Sequence, residues 1–131
     1  MVKTDTITES TIKMLVDRFY EKVRRDKTLG PVFDAVIGHG DAAWIPHLEK
    51  MYCFWSAVML TSGRYHGNPL QKHKDMPPFN EALFDTWLAL FEETVHEIHT
   101  GAAALDYIEK SQRIAKSLKL ALYYDPRKAT A

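Results

Sequence analysis

Apolar residues recur along most of the chain at the spacing of one helix face. In the first third they fall at i, i+3, i+4, i+7, i+8 and i+11, at Ile12, Leu15, Val16, Phe19, Tyr20 and Val23. Thr6 and Glu9 have the spacing of a capping box, so we predict that this helix begins near Ile7 or Thr8. No run of alternating apolar and polar residues is bounded by turns, and the pattern therefore predicts an all-α fold.

Glycine and proline residues separate the first two long helices. Gly30 and Pro31 are expected to break the first helix, and residues 29–37 are interpreted as a corner with one short helical turn. Asp41 is a favourable N-cap for a second long helix over about residues 42–61. The pattern thus predicts two long helices joined by a largely irregular corner.

Prolines also shape the middle of the chain. Pro46 lies about one turn into the second long helix and is expected to delay or kink its start. Asn68 and Pro69 provide an N-cap and a first helical residue, and Pro77-Pro78 stops the helix that follows within nine residues. The sequence therefore predicts one short helix between two long ones.

The last third of the chain predicts two further long helices. The third long helix ends at Gly101 and carries Leu83, Trp87, Leu90, Phe91, Thr94 and Ile98. The fourth ends before Asp125-Pro126 and carries Leu105, Ile108, Ala115, Leu118 and Leu122. His96 and His99 share a face of the third helix, which we interpret as a solvated surface rather than a metal site. With no repeat or long linker, residues 1–131 are predicted to form a single domain.

Composition excludes several classes of function. The 131 residues are 46% hydrophobic and 26% charged, which is enough apolar side chain for a core. Seventeen basic residues balance seventeen acidic ones, so nucleic-acid binding is disfavoured. There is no apolar run of about 20 residues and no apolar signal segment, so we expect no membrane association and a cytoplasmic location. A single cysteine, Cys53, excludes an intramolecular disulfide and a multi-cysteine metal site.

Four polar side chains stand out among the apolar positions. His73 lies in the short segment between the prolines, and His47, Tyr20 and Trp87 lie on the apolar faces of three long helices. Each one alone is more simply interpreted as a surface or core residue. Together, three donors on converging helices and a histidine on a separate short helix, lined by large apolar residues, are what a planar, iron-bearing cofactor needs.

These residues resemble those of a known protein family. From about residue 6 to residue 124 it resembles the group III truncated haemoglobins, compact globins with a two-over-two helical sandwich around haem b. The most specific matches are Phe19-Tyr20-Glu21-Lys22-Val23-Arg24, Leu29-Gly30-Pro31-Val32-Phe33, His47 followed by Phe54-Trp55, Pro69 through Phe79, and Trp87-Leu88-Ala89-Leu90-Phe91-Glu92-Glu93.

The resemblance implies a role for each site residue. His73 would be the metal ligand, on the proximal side of the haem iron, and Tyr20, His47 and Trp87 would form the distal ligand pocket. The remaining cofactor contacts would come from Phe33, Met51, Phe54, Trp55, Tyr65 and Met76. Pro46, beside the distal histidine, departs from the family motif and leaves the orientation of His47 open.

The function implied is tight, reversible binding of dioxygen at a five-coordinate ferrous iron, with carbon monoxide and nitric oxide as further ligands. A polar pocket also suits peroxide or nitric oxide chemistry, with a reductase as a partner. Two alternatives stay open: a haem-based gas sensor or sequestering protein, and a cofactor-free helical interaction module. The sequence leaves the oligomeric state open.

Overall fold

A computed structural model describes residues 2–123, and the described chain is helical apart from its connecting segments and one isolated bridge between Thr4 and His99. The helices are α1 Glu9–Arg25, α2 Leu29–Ile37, α3 Asp41–Leu60, α4 Pro69–Lys74, α5 Leu83–Ile98 and α6 Gly101–Tyr123. The all-α prediction is confirmed. The predicted helix end before Asp125-Pro126, and the end of the resemblance at Tyr124, lie outside the described residues.

Helix α1 begins at a capping box other than the predicted one. Thr8 is the N-cap: its Oγ1 accepts from the Thr11 backbone N–H at 3.1 Å, and Thr11 Oγ1 accepts from the Thr8 N–H at 2.9 Å. Glu9 was predicted to cap this end, but its carboxylate instead accepts from Ser56 Oγ at 2.5 Å and from Arg64 Nη1 at 2.6 Å. The predicted pairing of Thr6 with Glu9 is therefore wrong, because distant partners bind the carboxylate.

The predicted corner after α1 is a nine-residue helix, α2. Asp26 Oδ1 accepts from the backbone N–H of Leu29 at 2.8 Å and so satisfies a free donor at the start of this helix. Gly30 is inside α2, where a Cβ atom would lie 2.9 Å from the carbonyl oxygen of Arg24. Pro31 lies in the first turn, where the helix does not need its N–H. The prediction that these two residues break the first helix is wrong, because α1 ends at Arg25 and both residues lie inside α2.

Helix α3 runs through Pro46 and starts one residue before the predicted position. Gly40 is its N-cap, whereas Asp41, predicted to be the cap, is the first helical residue and pairs with Arg24 at 3.0 Å. Pro46 removes one backbone donor but does not delay the start. Thr61 then ends the helix in the left-handed conformation, at a φ of 51°.

The boundary between α5 and α6 also differs from the prediction. Helix α5 ends at Ile98, and Gly101, predicted to end it, is the first residue of α6 with a φ of 58°. His99 is 1% exposed, and its Nδ1 lies 2.9 Å from the carbonyl oxygen of Thr4. The interpretation of this face as a solvated surface is wrong for His99, because the N-terminal segment covers it.

The long helices pack as two pairs, α1 with α3 and α5 with α6, and the pairs meet along α1 and α5. Trp55 of α3 stacks on Phe91 of α5 with ring centroids 4.8 Å apart, and Phe19 of α1 packs edge-on against Phe91 at 5.1 Å. At the surface, Lys22 of α1 pairs with Glu93 and Glu97 of α5 at 2.8 and 2.7 Å. Within residues 2–123, no helix has the length and apolar character needed to cross a membrane.

Candidate functional site

A cavity of about 650 Å³ lies between these helices, with mostly apolar walls. All ten residues predicted as site residues line it: Tyr20, Phe33, His47, Met51, Phe54, Trp55, Tyr65, His73, Met76 and Trp87. They come from five helices and from the segments on either side of α4. The fold therefore brings together side chains that are up to 67 positions apart in sequence, from residue 20 to residue 87.

His73 reaches the cavity from α4, a helix of six residues with none buried. The side chain of Asn68 caps this helix by accepting from the Gln71 N–H at 3.1 Å, and Pro69 occupies the first helical position. His73 Nδ1 lies 2.6 Å from the carbonyl oxygen of Pro69. Because a carbonyl oxygen only accepts, Nδ1 carries the proton, and Nε2 of the neutral ring keeps a lone pair for a metal ion.

His47 lies on α3, one turn before Met51. Its Nε2 is buried and has no hydrogen-bond partner within residues 2–123. Burial lowers the pKa of His47 to about 4, and the positive charges of Lys50 and Lys72 and the nearby His73 act in the same direction. The imidazole is therefore neutral at pH 7, with one N–H to donate.

Tyr20 and Trp87 bring two further donors to the cavity. The Tyr20 ring packs edge-on against His47 with centroids 5.2 Å apart, and Phe19 lies between Tyr20 and Trp87, at 5.0 and 5.5 Å. Burial raises the pKa of the Tyr20 phenol well above its usual range, so it stays protonated. The phenol of Tyr20, the imidazole of His47 and the indole of Trp87 are thus three polar side chains in a mostly apolar cavity wall.

Sequence analysis missed two lysines of this cavity. Lys50 and Lys72 line it, and neither forms an ion pair with another residue of the described chain. The signal was present in the sequence, because Lys50 follows His47 by three positions on a helix and Lys72 adjoins His73. Unpaired cations beside an apolar cavity favour an apolar ligand that carries carboxylates.

The ligand set limits how a metal ion can be held here. No group of three His, Cys, Asp or Glu side chains suited to an ion occurs among residues 2–123. An ion bound through Nε2 of His73 would therefore take its other ligands from a cofactor. A planar macrocycle with an apolar body and acidic edges fits the volume, the aromatic walls and the two lysines.

Comparison with known proteins identifies the family and the fold. No family model matches the chain. Over 122 residues it is 40% identical to the group 3 truncated hemoglobin ctb of Campylobacter jejuni, covering 93% of this chain and 96% of that protein. It also resembles the crystal structure of the group III truncated hemoglobin from Campylobacter jejuni, with a TM-score of 0.90 and 40% identity over 93% of this chain and 96% of the other.

The helix pairs and the cavity between them define a globin of the truncated, two-over-two class. The 40% sequence identity over 93% of the chain shows which group of truncated haemoglobins it is. The chain belongs to the group III truncated haemoglobins.

Proposed function

We propose that this cavity holds haem b and that the protein binds dioxygen tightly and reversibly. The observation that carries the proposal is His73, whose Nδ1 is committed to the Pro69 carbonyl oxygen at 2.6 Å, leaving Nε2 available to an iron. When bound, haem b supplies a ferrous iron that takes dioxygen, carbon monoxide or nitric oxide at an open coordination position. His73 would hold the iron through Nε2.

The apolar walls and the two lysines hold the cofactor. Phe33, Phe54 and Trp55 pack against the macrocycle, and Met51, Tyr65 and Met76 complete its surroundings in this proposal. Lys50 and Lys72 pair with the propionate groups. This pairing accounts for two charges that have no other partner along the described chain.

Tyr20, His47 and Trp87 act on the ligand as hydrogen-bond donors. A protonated phenol, a neutral imidazole and an indole each donate to the partly negative oxygen atoms of a ligand in the cavity. Two such bonds of about 1 to 3 kcal/mol each slow oxygen escape by about 30-fold to about 10⁴-fold. Slow release of oxygen does not suit oxygen delivery and instead favours peroxide or nitric oxide chemistry. In such chemistry an external reductase restores the ferrous state.

Haem binding is tested by the visible spectrum of the purified protein, recorded ferric and then reduced under carbon monoxide. We expect about one haem per chain and a Soret band that shifts on carbon monoxide binding. A colourless chain that takes up no added haem would overturn the proposal and favour a cofactor-free helical interaction module.

The role of His73 is tested by His73→Gly, which removes the imidazole that would hold the iron. We expect loss of stable haem retention, restored by free imidazole, because the substitution leaves space where the ring was. His66→Gly is a matched control, since His66 is exposed and does not line the cavity. An unchanged Soret band and ligand affinity in His73→Gly would contradict the assignment.

A further inference from the structure

Trp44 of α3 is a large, fully buried side chain that lies behind the cavity wall rather than in it. It comes three positions before His47 on the same helix, and residues at this spacing share a helix face. Its ring packs edge-on against the His47 imidazole, with centroids 5.5 Å apart and planes 88° apart. Trp44 therefore contacts one of the proposed hydrogen-bond donors from outside the cavity.

Three aromatic rings surround the His47 imidazole. Besides Trp44, the ring of Tyr20 lies 5.2 Å away at 90° and the ring of Phe33 lies 6.5 Å away at 68°. Trp44 also packs against both of these rings, at 5.9 Å from Tyr20 and 6.2 Å from Phe33. Nε2 of His47 has no hydrogen-bond partner within residues 2–123, so no bond at that nitrogen fixes the ring. Packing against its aromatic neighbours therefore determines where the imidazole can donate.

The Trp44 indole is itself fixed by two further contacts. Its Nε1 donates to the carbonyl oxygen of Gly38 at 3.1 Å, and Gly38 has a φ of 119°, which favours glycine. The guanidinium of Arg24 lies 4.9 Å from the centroid of the indole ring and pairs with Asp41 at 3.0 Å. The hydrogen bond and the cation together restrict rotation of the indole. It is therefore a firmer support for His47 than a side chain held by apolar contacts alone.

Trp44 also borders a second cleft, separate from the cavity. This cleft has a volume of about 520 Å³, and its lining includes Trp44 and charged residues such as Arg24 and Asp41. Tyr20 lines both the cleft and the cavity. The indole therefore lies between the charged cleft and the rings of the cavity wall. A smaller side chain at this position would leave the His47 ring room to turn towards the cleft.

We propose that Trp44 is a positioning residue that holds the His47 imidazole against Tyr20, in the orientation from which it donates to a ligand in the cavity. The inference rests on the proposed haem function and extends it to a residue outside the cavity. Trp44 does not touch the ligand and acts through His47. Its substitution should therefore change the binding of a ligand that accepts hydrogen bonds, and only while His47 is present.

The orientation of His47 is tested in the haem-free, full-length chain by nuclear Overhauser effects between ring protons. In the wild type we expect these effects between His47 and Tyr20, because their ring centroids are 5.2 Å apart. Trp44→Leu should remove them, because the imidazole gains room on the side of the cleft. Trp44→Phe loses the hydrogen bond to Gly38 but keeps an aromatic ring, so it should retain most of them. This measurement is independent of haem and of any activity.

The consequence for the ligand is tested by stopped-flow dissociation from the haem-loaded protein. Trp44→Leu should speed oxygen dissociation by about 5-fold to about 10²-fold, the effect of losing one hydrogen bond. Carbon monoxide dissociation should change much less, since this ligand develops less negative charge, and Trp44→Phe should fall between the wild type and Trp44→Leu. In a His47→Leu background, Trp44→Leu should change oxygen dissociation by less than about twofold, because the side chain through which it acts is gone.

Ile98→Ala is the control for lost core packing, because Ile98 is buried and lines neither the cavity nor the cleft. It should leave the Overhauser effects between His47 and Tyr20, and the oxygen dissociation rate, near those of the wild type. Overhauser effects that survive in Trp44→Leu, or an oxygen effect that is undiminished in the His47→Leu background, would overturn this inference alone. A chain that takes up no haem would overturn the proposed function, and the role of Trp44 in ligand binding with it.

Discussion

At the scale of single residues, the polar side chains of the cavity lack the partners that buried groups normally have. Nε2 of His47 is enclosed without a hydrogen bond from residues 2–123, and His73 bonds the backbone through only one of its two nitrogens. Leaving a buried polar atom unpaired costs about 1 to 3 kcal/mol. A ligand that satisfies these atoms recovers that free energy, which is a direct contribution to its affinity.

Tyr20→Phe removes one donor and leaves the ring packed against Phe19 and His47. Loss of one hydrogen bond of about 1 to 3 kcal/mol should speed oxygen dissociation by about 5-fold to about 10²-fold. Carbon monoxide develops less negative charge, so its dissociation should change much less. Stopped-flow ligand replacement measures both rates, with Tyr65→Phe as a cavity-lining control. Equal changes for the two gases would mean that Tyr20 acts by shape.

His47 should make stability depend on pH. Its pKa is about 4 in the folded chain against 6.5 for an unperturbed histidine, so the unfolded state binds more protons between these values. The free energy of unfolding therefore falls as the pH falls through this window, by up to about 2 kcal/mol between pH 7 and pH 5. Urea unfolding at both pH values, compared with His47→Gln, measures this difference. The same pH dependence in both proteins would contradict a buried neutral imidazole.

At the scale of elements, α4 depends on its cap. Asn68 satisfies a backbone donor at the start of a helix with no buried residue, so Asn68→Ala should cost about 1 kcal/mol locally. Because this helix carries His73, we expect about fivefold faster haem loss to a scavenging protein. Asn68→Ser, which retains a capping oxygen, should restore a rate near that of the wild type. A rate in Asn68→Ala equal to the wild type would show that the cap does not position His73.

Element boundaries also show what the sequence can and cannot predict. The stripe from Ile12 to Val23 identified α1 because the helical period is a local property, and all six of its residues are buried. The cap of α1 was mispredicted because Glu9 binds residues 47 and 55 positions away. Gly30 was interpreted as a helix breaker, whereas its place against the Arg24 carbonyl oxygen depends on how two helices approach. Errors fall where a long-range contact competes with a local preference.

At the scale of the whole molecule, the cavity makes stability depend on the ligand. About 650 Å³ between the helix pairs lacks protein atoms to pack against its aromatic walls. Haem at about 1,000 times its dissociation constant should add about 4 kcal/mol to the free energy of unfolding. Urea unfolding of haem-loaded and haem-free protein measures this difference. Equal stability of the two would favour the cofactor-free helical interaction module.

The convergence of the cavity side chains could be predicted from the sequence, whereas the two lysines beside the cavity could not. Four long helices in a small protein must converge, so the apolar faces that carry Tyr20, His47 and Trp87 had to meet. Lys50 and Lys72 were missed, because a lysine on an exposed face and one beside a cavity look alike in sequence. Their position depends on the rotation of α3 and the placement of α4, which only the assembled fold determines.

The absence of buried residues in α4 has an evolutionary consequence. Substitutions in this segment barely affect the hydrophobic core, so under the proposed function selection acts on them almost only through the binding of iron by His73. The framework of α1, α3, α5 and α6 is instead constrained by packing in every descendant. A lineage that abandoned the cofactor would therefore lose the sequence signature of α4 first, while the helix pairs kept theirs.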